Sequence, residues 1–341
     1  MASLSAPSIS VLGAGAWGTA LANAIARRGE PVLLWGRDAG QMEALSQTRE
    51  NARHLPGVPL HPGLVPTADL AAAASADVLL AVVPTQALRA LAESLLPHLA
   101  AQIPGRPIVI CAKGIERGTG LFVTQVVDDV LPSARSAILS GPSFAADVAS
   151  GLPTAVTLAA TDATLSAFLA DALSAPGFRL YHSTDVRGAE IGGAAKNVLA
   201  IACGITAGRG LGASASAALV ARGFAELSRF GRAFGGQPET LMGLSGLGDL
   251  VLTCGSAQSR NFALGLALGQ GASVPEASGG KLAEGAFTAA ILVDMARKAG
   301  IDMPISASVD AVLAGRMDVQ DAVGALLARP QKAEADPQDD R

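Results

Sequence analysis

Over the first 180 residues, short apolar runs alternate with longer segments whose apolar positions recur at helical spacing. The runs 9–12, 31–35, 78–83, 107–111, 136–140, 155–159 and 178–181 predict strands, and segments such as 17–28 and 86–99 predict the helices between them. Repeated strand–helix units of this kind feed a mostly parallel sheet with a Rossmann-like α/β fold. After about Asp185 the period changes. Segments 190–207, 213–234, 262–269, 284–299 and 319–328 all carry apolar residues at helical spacing, with glycine and proline at Gly235, Gly236, Pro238, Gly243 and Gly246 marking loops. The pattern therefore predicts an N-terminal α/β domain over 1–185 and an all-helical domain over 186–328. The acidic tail 329–341 is expected to be disordered. No solenoid repeat is present in the sequence.

A length of 341 residues supports two cores. Half the chain is hydrophobic and only 4% is aromatic, so those cores are expected to be packed mainly with Ala, Val, Leu and Ile. The net charge of -4 and the lack of a basic block argue against a nucleic-acid partner. Residues 1–10 carry no basic residue ahead of an apolar core, which predicts no secretory leader. Uncharged stretches such as 148–161 fall short of the roughly 18 apolar residues a bilayer span needs, so no membrane insertion is expected. Cys111, Cys203 and Cys254 are dispersed with no C-x-x-C pair, which fits buried thiols in a reducing cytoplasm and neither a disulfide framework nor a metal site.

The strand 9–12 runs into Gly13-Ala14-Gly15-Ala16-Trp17-Gly18 and then a helix. In this pattern the first glycine permits the turn, the second lets backbone approach a pyrophosphate, and the third lets helix and strand pack closely. The phosphates would sit at a helix N-terminus, where free N–H groups and the dipole favour negative charge. An acid that binds the ribose 2′-hydroxyl is expected about 20 residues on. Arg37 stands there, beside Asp38, which favours a 2′-phosphate and NADPH over NADH, or else leaves Arg37 a solvated loop residue.

Five further segments carry candidate chemistry. Lys113 follows the strand 107–111 and is either a cation for a carbonyl or alkoxide oxygen or a surface lysine in a turn. Gly141-Pro142-Ser143 follows the strand 136–140, where Ser143 fits a helix N-cap or a ligand contact. Lys196, within Gly192-Gly193-Ala194-Ala195-Lys196-Asn197, is an ammonium in an apolar helix that must find water, a carboxylate or a substrate. A second nearby cation would fit it for proton exchange near neutral pH. Asp249, in Gly246-Leu247-Gly248-Asp249-Leu250, is either its partner or a cap. Ser259-Arg260-Asn261 opens a helix as a phosphate cradle or as a plain cap at Ser259.

Taken in order, GAGAWGTALA from Gly13, LWGR ending at Arg37, AKG at Lys113, SGPSFA from Ser140, GGAAKN ending at Asn197, GLGDLVLTC from Gly246, SRN from Ser259 and LAEG from Leu282 resemble the soluble bacterial NAD(P)-dependent glycerol-3-phosphate dehydrogenases over 9–328. The resemblance implies that Lys196 is the acid/base residue and that Lys113 and Asp249 complete the reactive centre. It places substrate contacts on Gly141, Ser143, Ser259, Arg260 and Asn261 as well as on those three. Cofactor contacts fall on Gly13, Gly15, Ala16, Trp17, Gly18, Arg37, Lys113, Ala145, Arg260, Leu282 and Glu284. Ala16 and Trp17 stand where relatives often have Ser and another bulky residue, which leaves a backbone role at position 16. The resemblance further implies NADP or NAD as cofactor, a cytoplasmic homodimer, and interconversion of dihydroxyacetone phosphate and sn-glycerol 3-phosphate that supplies phospholipid synthesis.

Two rival readings are a reductase of a carboxylate substrate, of ketopantoate or β-hydroxyacid type, and a non-catalytic dinucleotide sensor. The SRN cradle argues against the first, and Lys113, Lys196 and Asp249 argue against the second.

Overall fold

A computed structural model describes residues 6–99, 105–279 and 283–329. Leu282 and the tail from residue 330 lie outside the described residues. Two units emerge, one formed by the described residues up to Lys113 together with Leu121–Val186, the other by Gly114–Gly120 together with the described residues from Arg187 onward.

The first unit is built on ten strands: β1 Ile9–Leu12, β2 Val32–Trp35, β3 Glu50–Asn51, β4 Leu55–Pro59, β5 Leu64–Thr67, β6 Val78–Ala81, β7 Pro107–Ile110, β8 Arg135–Ser140, β9 Thr154–Ala160 and β10 Phe178–Ser183. Eight of them make one sheet in the order β10-β9-β8-β7-β6-β1-β2-β5, and every pairing is parallel except β8 with β9. β1 and β6 are buried at every residue, as strands covered on both faces must be. From β1 the chain moves outward to β2 and β5, then returns to β6 on the other side of β1. That reversal leaves a crevice at the carboxyl end of β1, the place where open α/β sheets gather ligands.

β5 and the antiparallel pair β3–β4 were not predicted. Proline at positions 56, 59 and 66 hides them, because proline removes a ladder donor and is tolerated only at edges and bulges. β5 is indeed an edge strand, and β3–β4 stands outside the main sheet.

The second unit is helical. Its longest helix, Val186–Gly208, is buried at every residue from Gly188 to Thr206. It is long and apolar enough to cross a membrane by composition, yet nearly all of it is buried inside the protein, so it serves as a core helix. Two pairs of glycines let it touch a second helix, Arg260–Gly269, backbone to backbone. A Cβ on Gly204 would lie 2.1 Å from the Phe262 carbonyl oxygen, and one on Gly265 would lie 2.0 Å from that of Ile201. Gly208 and Gly269 repeat the contact one turn along, at 2.3 and 2.5 Å from the carbonyls of Leu266 and Ile205. The helix Pro304–Leu313 was not predicted, since proline at its first position and two serines blur the apolar period. The segment Gly114–Gly120 contributes Arg117, whose guanidinium lies 4.7 Å over the Phe287 ring.

Candidate active site

In the sheet unit the three loop glycines do three separate things. Gly13 has φ +128°, and a Cβ there would fall 2.2 Å from the Val82 carbonyl oxygen. A Cβ on Gly18 would fall 1.8 Å from the Gly13 oxygen, so only glycine lets the helix Ala16–Ala26 pack this tightly on the turn. Gly15, between them, faces open space within 4 Å. A tight turn, an open middle and a closed third position make a cradle that a pyrophosphate fits.

Trp17 packs its ring edge-on against Phe178 with centroids 6.5 Å apart, so this side chain belongs to the core and its backbone is what the loop presents. Arg37 is exposed, and Asp38 caps the next helix by accepting from the Gln41 N–H. At the carboxyl ends of the adjacent parallel strands β7 and β8, Lys113 Nζ donates to the Gly141 carbonyl oxygen at 3.0 Å. Gly141 has φ +152°, and a Cβ there would press on Val156 at 2.8 Å. Ser143 is not the predicted cap: Phe144 occupies the cap position of the helix Ala145–Ala149, and the Ser143 hydroxyl instead donates to the Gly141 oxygen at 3.0 Å. Both donors thus fasten one carbonyl at the sheet edge.

In the helical unit, Lys196 does not reach solvent past its small neighbours, the alternative its surroundings left open. It is 6% exposed, and its Nζ donates to Asp249 Oδ1 at 2.7 Å and to Thr253 Oγ1 at 2.8 Å. Asp249, 1% exposed, is not a cap either, because Gly248 holds that position. A buried ammonium without a partner would cost several kcal/mol, roughly what a buried carboxylate opposite it offsets. Glycine again sets the approach: a Cβ on Gly192 would lie 2.4 Å from the Ser245 oxygen, which brings the lysine helix against the segment that leads into the helix Asp249–Cys254. Thr253 was missed in the sequence, although its place four residues after Asp249 puts both on one helix face.

Ser259 does cap the helix Arg260–Gly269, accepting from the Phe262 N–H at 3.2 Å. Arg260 is exposed at the first helical position. Asn261 is buried and works as a strut: its Oδ1 accepts from the Gly285 N–H at 3.0 Å, and its Nδ2 donates to Asn197 Oδ1 at 3.0 Å. Lys196 and Arg260 are therefore each chain neighbours of one hydrogen-bonded asparagine pair. Glu284 opens the helix Glu284–Lys298, one residue from that strut.

The thiol of Cys254 beside Thr253 is held far up by the neighbouring Cys203 thiol and by burial. Cys111 is pushed up to about 12 by burial. All three cysteines are free and buried. Among the described residues no three His, Cys, Asp or Glu side chains gather as a metal would require.

A sheet with a glycine turn at its reversal point, followed by a helical unit holding a buried and paired ammonium, is the build of a dinucleotide-dependent oxidoreductase. The chain belongs to the family of NAD-dependent glycerol-3-phosphate dehydrogenases, whose N-terminal model matches residues 8–166 and whose C-terminal model matches 185–324. It is 64% identical over 327 residues to a glycerol-3-phosphate dehydrogenase [NAD(P)+] of Azorhizobium caulinodans, covering 96% of this chain and 98% of the relative. A Methylobacterium radiotolerans protein of the same name is 62% identical over 329 residues, with 96% and 98% covered. The crystal structure of a glycerol-3-phosphate dehydrogenase from Coxiella burnetii superposes with a TM-score of 0.88 at 40% identity, covering 95% of this chain and 99% of that one.

Proposed function

We propose that this chain interconverts dihydroxyacetone phosphate and sn-glycerol 3-phosphate with NAD(P)H, and that Lys196 is its acid/base residue. The observation that carries the reading is the buried Lys196 ammonium, held at hydrogen-bond distance by one carboxylate and one hydroxyl. An ammonium oriented in this way donates a proton to the oxygen on C2 of the ketone during reduction and accepts one back during oxidation. Asp249 aims one N–H of the ammonium and Thr253 a second. When bound, the nicotinamide supplies or removes the hydride at C2.

Arg260 and the free N–H groups of its helix anchor the phosphate, so that binding energy remote from C2 holds the carbonyl in place. Ser259 and Asn261 shape that anchor. Gly141 and Ser143 contribute to the substrate contacts, and Lys113 serves both nucleotide and substrate oxygen. The Gly13–Gly18 backbone, Ala145, Arg260, Leu282 and Glu284 serve the nucleotide. Arg37 favours NADPH. In the same reading the enzyme is a cytoplasmic homodimer that feeds phospholipid synthesis.

The test is to incubate the purified protein with dihydroxyacetone phosphate or ketopantoate and either reduced nucleotide, following absorbance. Turnover is expected with the phosphorylated ketone, faster with NADPH. Arg260→Ala should raise the KM for that ketone by roughly 10- to 100-fold, the size of a lost charged contact, and weaken nucleotide binding by less. A preference for the unphosphorylated keto acid would overturn the assignment.

A further inference from the structure

The glycine loop is fastened from outside by two side-chain amides. We infer that Asn51, assisted by Gln41, is the positioning residue that aims the loop's backbone N–H at the nucleotide, and this inference rests on the reading that Gly13–Gly18 is the nucleotide cradle. Asn51 lies on β3, part of the small hairpin the sequence pattern concealed, and is 1% exposed. Its Nδ2 donates one hydrogen to the Ala14 carbonyl oxygen at 3.1 Å and the other to Thr19 Oγ1, on the loop's helix, at 2.7 Å. Gln41 Nε2, from the helix Ala39–Thr48, donates to the same Ala14 oxygen at 3.1 Å. Two side-chain amides from separate elements thus converge on one carbonyl in the middle of the cradle.

The consequence follows from peptide geometry. The peptide bond between Ala14 and Gly15 is trans, so its C=O and N–H point to opposite sides. Fastening the carbonyl toward Asn51 and Gln41 turns the Gly15 N–H the other way. Among the described residues no protein acceptor takes that N–H, and the space beside Gly15 is open. A loop with this carbonyl released would be free to rotate the peptide and turn an oxygen, not an N–H, toward the phosphates.

The hairpin is well fixed for such a task. Asn23, on the helix that follows the loop, donates to the Pro59 carbonyl at the end of β4 and accepts from the His61 N–H at 2.5 Å. The Glu50 carboxylate accepts from the Gly57 N–H across the turn at 2.8 Å. Asn51 Oδ1 takes no hydrogen bond among the described residues, so its amide is used solely as a donor.

The experiment compares Asn51→Leu and Gln41→Met, which keep volume and remove the donors, with Gly15→Val, which fills the open space. The dissociation constants for NADH and NADPH are measured by fluorescence without the second substrate. KM and kcat for nucleotide and ketone phosphate are measured alongside. Loss of a hydrogen bond to a loop that must be ordered predicts about tenfold weaker nucleotide binding for Asn51→Leu and about threefold for Gln41→Met. The KM for nucleotide should follow, while kcat at saturating nucleotide and the KM for dihydroxyacetone phosphate stay within about twofold.

A role confined to anchoring the hairpin would lower the melting temperature and leave the dissociation constants alone, and that result would overturn the inference. Should Asn51→Leu fail to fold, the half-buried Gln41→Met decides on its own by the same readout. If Gly15→Val binds nucleotide like the parent, the cradle reading itself has failed and the inference falls with it. If Gly15→Val loses binding but both amide variants keep it, only the positioning role is overturned.

Discussion

The candidate sites of the two units are built by opposite means. In the sheet unit the cradle is backbone: three glycines, a helix start, and side-chain amides that act on a carbonyl rather than on a ligand. In the helical unit the candidate chemistry is carried by side chains, and two of them, Lys196 and Asp249, are charged groups buried against each other. The difference teaches where each site is fragile. A backbone site fails when an added carbon closes it or a released peptide turns. A buried ion pair fails when one partner is removed and the other is left unpaired.

The sharpest way to break this comparison is Lys196→Ala. Removing an acid/base residue should lower kcat by about 10²- to 10⁴-fold, with nucleotide affinity by fluorescence unchanged. Near-parental turnover would show that the buried pair is structural only.

Next in size is Gly265→Val, whose branched side chain would collide with the backbone at Ile201. Overpacking of this kind costs about 1–3 kcal/mol and should lower the melting temperature by several degrees without altering nucleotide affinity in the other unit.

A pH experiment probes a third buried charge. Glu226 is 1% exposed and accepts from the N–H groups of Ile305 and Ser306 and from the Ser306 hydroxyl, which ties the helix Gly212–Ala233 to the start of Pro304–Leu313. Burial raises its carboxyl from 4.5 to about 7, against the pull of those bonds and of Arg229. The folded chain therefore binds this proton more tightly than the unfolded one. The resulting stability is fully present below 4.5 and is lost as pH rises toward about 7. The loss amounts to a few kcal/mol at most, because a tenfold change in proton affinity corresponds to about 1.4 kcal/mol. Glu226→Gln, uncharged throughout, should flatten the stability profile in that window, as urea melts at several pH values would show.

The smallest expected effect is that of Thr253→Val, which keeps the shape and removes one acceptor from Lys196. It should lower kcat about two- to tenfold and leave the KM for the phosphorylated ketone nearly constant. A much larger loss would give the hydroxyl a share in the chemistry itself.

How much of this was legible in the sequence follows from what each feature depends on. β6 and β7 were readable because strands covered on both faces are written as apolar runs, and β1 because only Ser10 interrupts such a run. The glycine turn was readable because each glycine answers a local steric demand. β5 and the hairpin were not, since their prolines imitate loop sequence and only their edge positions make proline acceptable. Ser143 had the right residue type for a cap, one position too early. For Lys196 the chain could state that a partner was needed and offer Asp249, but not decide between partner and cap, because Asp249 lies 53 residues away and is brought in by the glycine contact at position 192. Asn51 is further still from inference, since a single asparagine between Glu50 and Ala52 looks like turn punctuation until its amide is seen at the Ala14 oxygen.

The crossing of the helices that carry Lys196 and Arg260 has a last consequence. Carbonyl oxygens of each lie against glycine α-carbons of the other at four successive places, so no layer of side chains separates them to be thinned or thickened. The span between the helices that carry Lys196 and Arg260, the proposed proton donor and phosphate anchor, is consequently not adjustable by ordinary core substitutions, which would have to force the two backbones apart. A variant that accepts a longer or shorter substrate would arise more readily by exchanging residues at the helix starts, leaving this crossing to serve as a fixed ruler.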